Sequence, residues 1–221
     1  MDKRTIWEGI PEEAKQSIIR GIRADNNVII KIHQNFGDRL LNTKRPSSTD
    51  LDLIFNAESL MLGGSEISSI EFVKYFKNTK SIYLWGTKVT DISSLSHLPL
   101  LECIYASGAK LISYEPLKNS RIKLLYNSYS AASDYFNLSN ILTLEKLELG
   151  ENEQLTSVEP FKNLVNLEML HIPHTRVTSL RPLIELKKLQ ELFIIMTPIP
   201  ESEIVFFDSY NKSNTKAQNW L

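Results

Sequence analysis

Residues 167–177 read LEMLHIPHTRV, with apolar side chains at Leu167, Leu170, Ile172 and Val177. Leu170 and Ile172 flank the single residue His171, the pattern of a short strand with one buried and one open face. Working outward, the same element recurs as Leu60-Met61-Leu62, Ile82-Tyr83-Leu84, Ile104-Tyr105-Ala106, Leu125-Tyr126-Asn127, Leu147-Glu148-Leu149 and Leu192-Phe193-Ile194. With Leu170 in its place, successive starts lie 22, 22, 21, 22, 23 and 22 residues apart. A self-similar period of this length marks stacked coils.

A second apolar position keeps phase behind each element, at Ile67, Val89, Leu111, Ala132, Leu155, Val177 and Ile199. Apolar residues then come every third position, as in Ile70, Val73 and Phe76, or Leu180, Leu183 and Leu186. Alternation suits a strand, whereas a spacing of three suits a 3-10 or helical return. Neither half can bury its apolar face alone, so successive units must share one core.

The segments Leu167-x-x-Leu170-x-Ile172-x-x-Thr175-x-Val177 and Thr87-Lys88-Val89-Thr90-Asp91-Ile92 resemble leucine-rich repeats of the 22-residue, internalin-like subclass. Glu115-Pro116-Leu117, Glu159-Pro160-Phe161 and Arg181-Pro182-Leu183 resemble the proline-containing 3-10 turns of that subclass. The resemblance implies an α/β fold: a right-handed solenoid with a parallel concave sheet and a 3-10 or helical convex side. The expected organisation is a mainly helical N-terminal cap at 1–50, about seven repeats at 51–199, and a C-terminal cap and tail at 200–221.

Departures from the pattern fall in the fourth and fifth units. Asn127 and Ala132 are poor core residues and SYSAASDYFNLSN is polar, so the fourth loop is expected to bulge. The extra residue in GENEQ, ahead of Leu155, should widen the fifth turn. At the N-terminus, Pro11 and two acids open a helix with Ile18, Ile19 and Ile22 on one side. NVIIKIHQNF fits either a second helix or a cap strand, and SSTD at 47–50 reads as the junction into the repeats. Past Ile199, ESEIVFFDSY is expected to close the last coil with Ile204, Val205 and Phe206, ahead of a polar tail in which Trp220 and Leu221 could fold back.

The 25 Lys plus Arg against 26 Asp plus Glu leave no net field to favour nucleic acid or a membrane surface. One cysteine, Cys103, favours a reducing compartment. Charge and Pro11 interrupt the N-terminus before any apolar run of signal-peptide length, so a cytoplasmic location is expected.

The residues between the buried pairs face the concave side: Met61, Tyr83, Tyr105, Tyr126, Glu148, His171 and Phe193, with Trp85 two positions beyond Tyr83. Seven rungs make a ladder of roughly 29 Å, the size of an interface. Such aromatics match interface composition and favour a partner-binding surface over stacking that only stabilises the sheet. Glu148 with Glu151 and Glu153 forms an acidic end that a basic patch could meet, or an ordinary solvated turn. His171 and His174, three apart on a strand, should face opposite sides and make a poor metal pair. No catalytic, cofactor-binding or metal-ligating residue is nominated. The expectation is a monomeric, non-catalytic module that binds a protein partner through the aromatic concave face. The alternatives are a small bacterial inhibitor or immunity protein neutralising a toxin, and an enzyme with its site at the irregular fourth and fifth units.

Overall fold

Among the described residues every strand is three residues or fewer, and each pairs in parallel with the strand one coil away. The computed structural model describes residues 1–24, 45–210 and 217–218. Seven strands follow the sequence period: β1 (Ser59–Met61), β2 (Ser81–Tyr83), β3 (Cys103–Tyr105), β4 (Leu124–Tyr126), β5 (Lys146–Glu148), β6 (Met169–His171) and β7 (Glu191–Phe193). Ala217–Gln218 adds β8, and the sheet runs in chain order from β1 to β8. The middle residue of each of the seven repeat strands is fully buried and its neighbours stand on the other face, as alternation requires, where Met169 alone among them is also buried.

Each coil returns through a 3-10 turn, from Glu71–Tyr75 in the first unit to Arg181–Leu183 in the sixth. A column of short polar side chains starts these returns. Ser69, Asp91, Ser113, Ser157 and Ser179 each accept a hydrogen bond from the amide two residues on, supplying a donor that the turn leaves unpaired.

Between strand and return the chain reverses on one left-handed residue per coil. Gly64, Gly86 and Gly108 hold it in the first three units, and Tyr129, Glu151, His174 and Met196 in the last four, with φ from 54° to 82°. The amide of each of the first six donates to the next coil, as in Gly64 N to Trp85 O at 2.8 Å and His174 N to Ile195 O at 2.9 Å. The parallel ladder therefore continues past the strands into the turns.

Units four and five are regular where the sequence suggests a bulge. Tyr105, Tyr126 and Glu148 stay in register, and Asn127 and Ala132 are fully buried. Asn127 is a satisfied core polar residue. Its Nδ2 donates to the carbonyls of Ala106 and Ala109 at 2.8 and 3.3 Å, and its Oδ1 accepts from the Tyr114 hydroxyl at 3.0 Å. Asn152 repeats the device one coil on, donating to the Asn127 carbonyl at 3.0 Å and accepting from Ser130 N at 2.5 Å. The fifth turn keeps its left-handed Glu151, so the extra residue is taken up beyond Asn152.

Among the described residues the N-terminal cap holds α1 (Lys3–Gly9), α2 (Glu12–Ala24) and α3 (Ser48–Phe55). Asp2 caps α1 through hydrogen bonds from the amides of Arg4 and Thr5, and α1 buries Trp7. In α2, Ile18, Ile19 and Ile22 are all buried as the pattern implied. SSTD is the start of α3, where Ser47 and Asp50 form a reciprocal capping box, and the helix runs across residue 50 to Phe55. NVIIKIHQNF lies outside the described residues.

At the other end, α4 (Glu201–Tyr210) closes the last coil with Phe207, which is fully buried, and Ile204. Val205 is 62% exposed, so the apolar stripe follows the i, i+3 spacing of a helix and not the run of adjacent residues. The polar tail is also not wholly a tail: Ala217–Gln218 pairs with Leu192 and Phe193. An edge strand such as β7 offers unpaired backbone groups that a following segment can satisfy. Trp220 and Leu221 lie outside the described residues.

Candidate concave binding surface

Strand pairing sets the outward residues in columns. The middle column is the expected ladder of Met61, Tyr83, Tyr105, Tyr126, Glu148, His171 and Phe193. Within it Tyr83 and Tyr105 stack face to face, centroids 4.5 Å apart and planes 2° apart. Tyr105 then meets Tyr126 edge-on at 5.5 Å. These contacts use part of each ring, so the three tyrosines are half-buried while the sheet holds them rigid. Burial first, then the neighbouring Tyr83, pushes the Tyr105 phenol up. Burial, then the carboxylates of Glu148 and Glu191, does the same to Tyr126.

Trp85 sits beside this row and is 50% exposed. Its indole lies over the Gly63–Gly64 backbone of the preceding coil. A Cβ at residue 63 would come within 2.4 Å of the ring, so the glycine makes the platform possible. Pro173 lies over Gly150 in the same way further along the stack.

The remaining candidates divide. Met61 is covered in part by the cap: α2 approaches so closely that a Cβ on Gly21 would lie 2.5 Å from the Met61 Cβ. Met61 is therefore the rung where the cap meets the sheet. Glu148 accepts from the Ser128 hydroxyl at 2.7 Å. His171 packs on Phe193 at 5.4 Å and pairs with Glu191 at 2.7 Å, whereas His174, in the turn, faces Glu151 at 3.7 Å. Glu153 pairs with Arg176. Glu148, Glu151 and Glu153 thus go to three different neighbours, and β5 stands inside the ladder and not at its end.

Sequence reasoning picked out Cys103 and Lys146 but did not assemble the column to which they belong, one step earlier on each strand: Ser59, Ser81, Cys103, Leu124, Lys146, Met169 and Glu191. The strand alternation that marked the middle column also places these outward. The Tyr126 hydroxyl reaches the Met169 sulfur at 3.9 Å, joining the two columns.

No protein-family model matches the chain, and a comparison with curated proteins finds no relative. Solved structures do resemble it. Internalin C2 from Listeria monocytogenes superimposes with a TM-score of 0.68 at 18% identity, over 92% of this chain and 97% of that one. An internalin F from the same organism gives 0.59 at 16%, over 95% and 76%. A leucine-rich-repeat protein of Leptospira interrogans gives 0.65 at 16% identity over 78% of this chain and 50% of that one. At such identities the likeness is one of fold, and together with the 22-residue coils and the parallel sheet it gives this chain the leucine-rich-repeat solenoid fold that the internalins share.

Proposed function

We propose that the protein is a non-catalytic binding module whose concave face takes a protein partner. The observation that carries this is the contiguous aromatic row Tyr83, Tyr105 and Tyr126 beside the half-exposed Trp85, held on a rigid parallel sheet. Each such ring brings about 150–250 Å² of mainly apolar surface, and pre-ordered aromatics lose little entropy on binding. Tyrosine and tryptophan are also the residues enriched where interfaces concentrate their energy. The stacking seen within the row stabilises the sheet as well; a rigid stack serves both purposes.

Two further observations support this assignment. The ectodomain of a plant receptor kinase from Arabidopsis thaliana, solved in complex with Casparian strip integrity factor 2, shares the fold with a TM-score of 0.53 at 16% identity over 68% of this chain and 20% of that one. In the fourth and fifth units, where an enzyme site was the alternative, the buried polar groups of Asn127, Asn152 and Tyr114 are spent on each other, on backbone carbonyls and on the Ser130 amide.

Co-purification of untagged protein, followed by mass spectrometry and calorimetry with the recovered partner, tests it. Trp85→Ala and Tyr105→Ala should each weaken binding at least several-fold, or about 1 kcal/mol and more, while Lys74→Ala and Lys187→Ala on the returns leave it unchanged. Binding lost in the lysine variants and kept in both aromatic ones places the interface elsewhere.

A further inference from the structure

Charge is divided along the stack as sharply as aromaticity. Just ahead of the strands runs a column in which Lys80 pairs with Glu58 at 3.0 Å and Lys123 with Glu102 at 3.1 Å. Alternation then stops. The next two members are Glu145 and Glu168, whose carboxylates have no cationic partner in contact among the described residues; Lys123 feels Glu145, but its ion pair is with Glu102. The outward columns beside them add Glu148 and Glu191, against the single lysine Lys146. Glu148 is bonded by a neutral hydroxyl and Glu191 by a histidine. One half of the concave surface is therefore aromatic with its rim charges paired, and the other carries an excess of carboxylates, with Tyr126 at the boundary.

We infer that the partner presents an apolar anchor followed by a lysine- or arginine-bearing segment, the anchor seated on Tyr83, Trp85 and Tyr105 and the cations against Glu145, Glu148, Glu168 and Glu191. This rests on the concave-face assignment above. Unpaired carboxylates beside a partly dry aromatic face reward a cation more than water-exposed ones do, and the ring of Tyr126 offers a face to the same cation. Rungs are about 4.8 Å apart, so anchor and cations are separated by about 14 Å, or four to five residues of extended chain. A partner with the opposite order, or with an acidic segment, would meet like charge.

The test uses the full chain and a displayed library of random-sequence peptides long enough to span the ladder. Binders are selected at low salt, and their affinities are measured at low and physiological salt. The expected binders depend on Trp85, are enriched in lysine and arginine on one side of an apolar anchor, and lose about fivefold or more in affinity with Glu145→Gln/Glu168→Gln. That double variant should also flatten the salt dependence, whereas Trp85→Ala should weaken binding and leave the salt slope unchanged. Circular dichroism checks that both variants fold; among the described residues the two glutamates have no ion pair to lose. Trp85-dependent binders without basic residues, or indifferent to the double variant, overturn the inference and leave the concave-face assignment standing. A selection in which no binder depends on Trp85 or Tyr105 removes that assignment and this inference with it.

Discussion

Asn127 donates through Nδ2 to the Ala106 carbonyl at 2.8 Å, serving the third coil as the Thr87 hydroxyl serves the Leu84 carbonyl in the second, also at 2.8 Å. Ala109 stands where the threonine would be and has no hydroxyl to give, so the next coil supplies the donor. Replacing Asn127 by leucine, the residue that the repeat pattern favours, would take the acceptor from the buried Tyr114 hydroxyl and leave the Ala106 carbonyl with the Ala109 amide alone. The expected cost is about 1–3 kcal/mol in urea unfolding, the usual penalty for a buried polar group that loses its partner. A stability equal to or above the parent's would show that these bonds are dispensable.

Leu170 is fully buried, whereas Trp85 is half exposed on the opposite face of the sheet. Leu170→Ala should therefore destabilise by about 2–5 kcal/mol. Trp85→Ala should cost about 1 kcal/mol or less. Denaturant titrations of the two variants measure the ratio, and equal losses would mean that the indole is a structural strut.

Gly63→Ala tests the platform under that indole. The new methyl would overlap the ring, which is half exposed and can swing outward. Tryptophan emission should shift to the red, with a loss in thermal midpoint of only a few degrees, about 1 kcal/mol at most. An unchanged spectrum would mean that the ring does not rest on residue 63.

The left-handed column predicts opposite effects for opposite substitutions. Met196 holds a φ of 56° and is largely exposed, so Met196→Gly should relieve strain and stabilise by about 0.5 kcal/mol. Gly108, at a φ of 82°, should lose about 1 kcal/mol on replacement by alanine. Thermal melts of the pair check the sign of each.

Asp134 provides a pH prediction. Burial opposes its ionisation, but hydrogen bonds from the Ser113 hydroxyl, the Tyr114 amide and Asn137 outweigh that and hold its carboxyl below the usual range. A depressed carboxylate stabilises the fold above its unfolded pKa, and that contribution is lost as pH falls below about 4 through the folded value. Asp134→Asn should make the decline in stability below about pH 4 shallower than in the parent. Unfolding free energies along an acid series measure the slope, and parallel curves would remove Asp134 as a contributor.

The sequence alone determined the repeat. A spacing near 22 residues, with one buried pair per unit and apolar positions every third residue in the return, has few packings other than stacked coils, because each unit's apolar face needs a neighbour. It also determined which side chains stand on the open face, since strand alternation leaves no choice between Tyr83 and Ile82. Only the tertiary structure decided what those side chains do there. Met61 belongs to the ladder by register, yet the approach of Gly21 from α2, far away in sequence, gives it to the cap. Asn127 breaks the apolar pattern and still fills the core, because its partners Ala106, Ala109 and Tyr114 come from the preceding coil. Ala217–Gln218 looks polar and unstructured, and becomes a strand because β7 presents an open edge. In each case the deciding contact lies outside the local period: periodicity reports which way a residue points, and contacts between coils and caps fix what it meets.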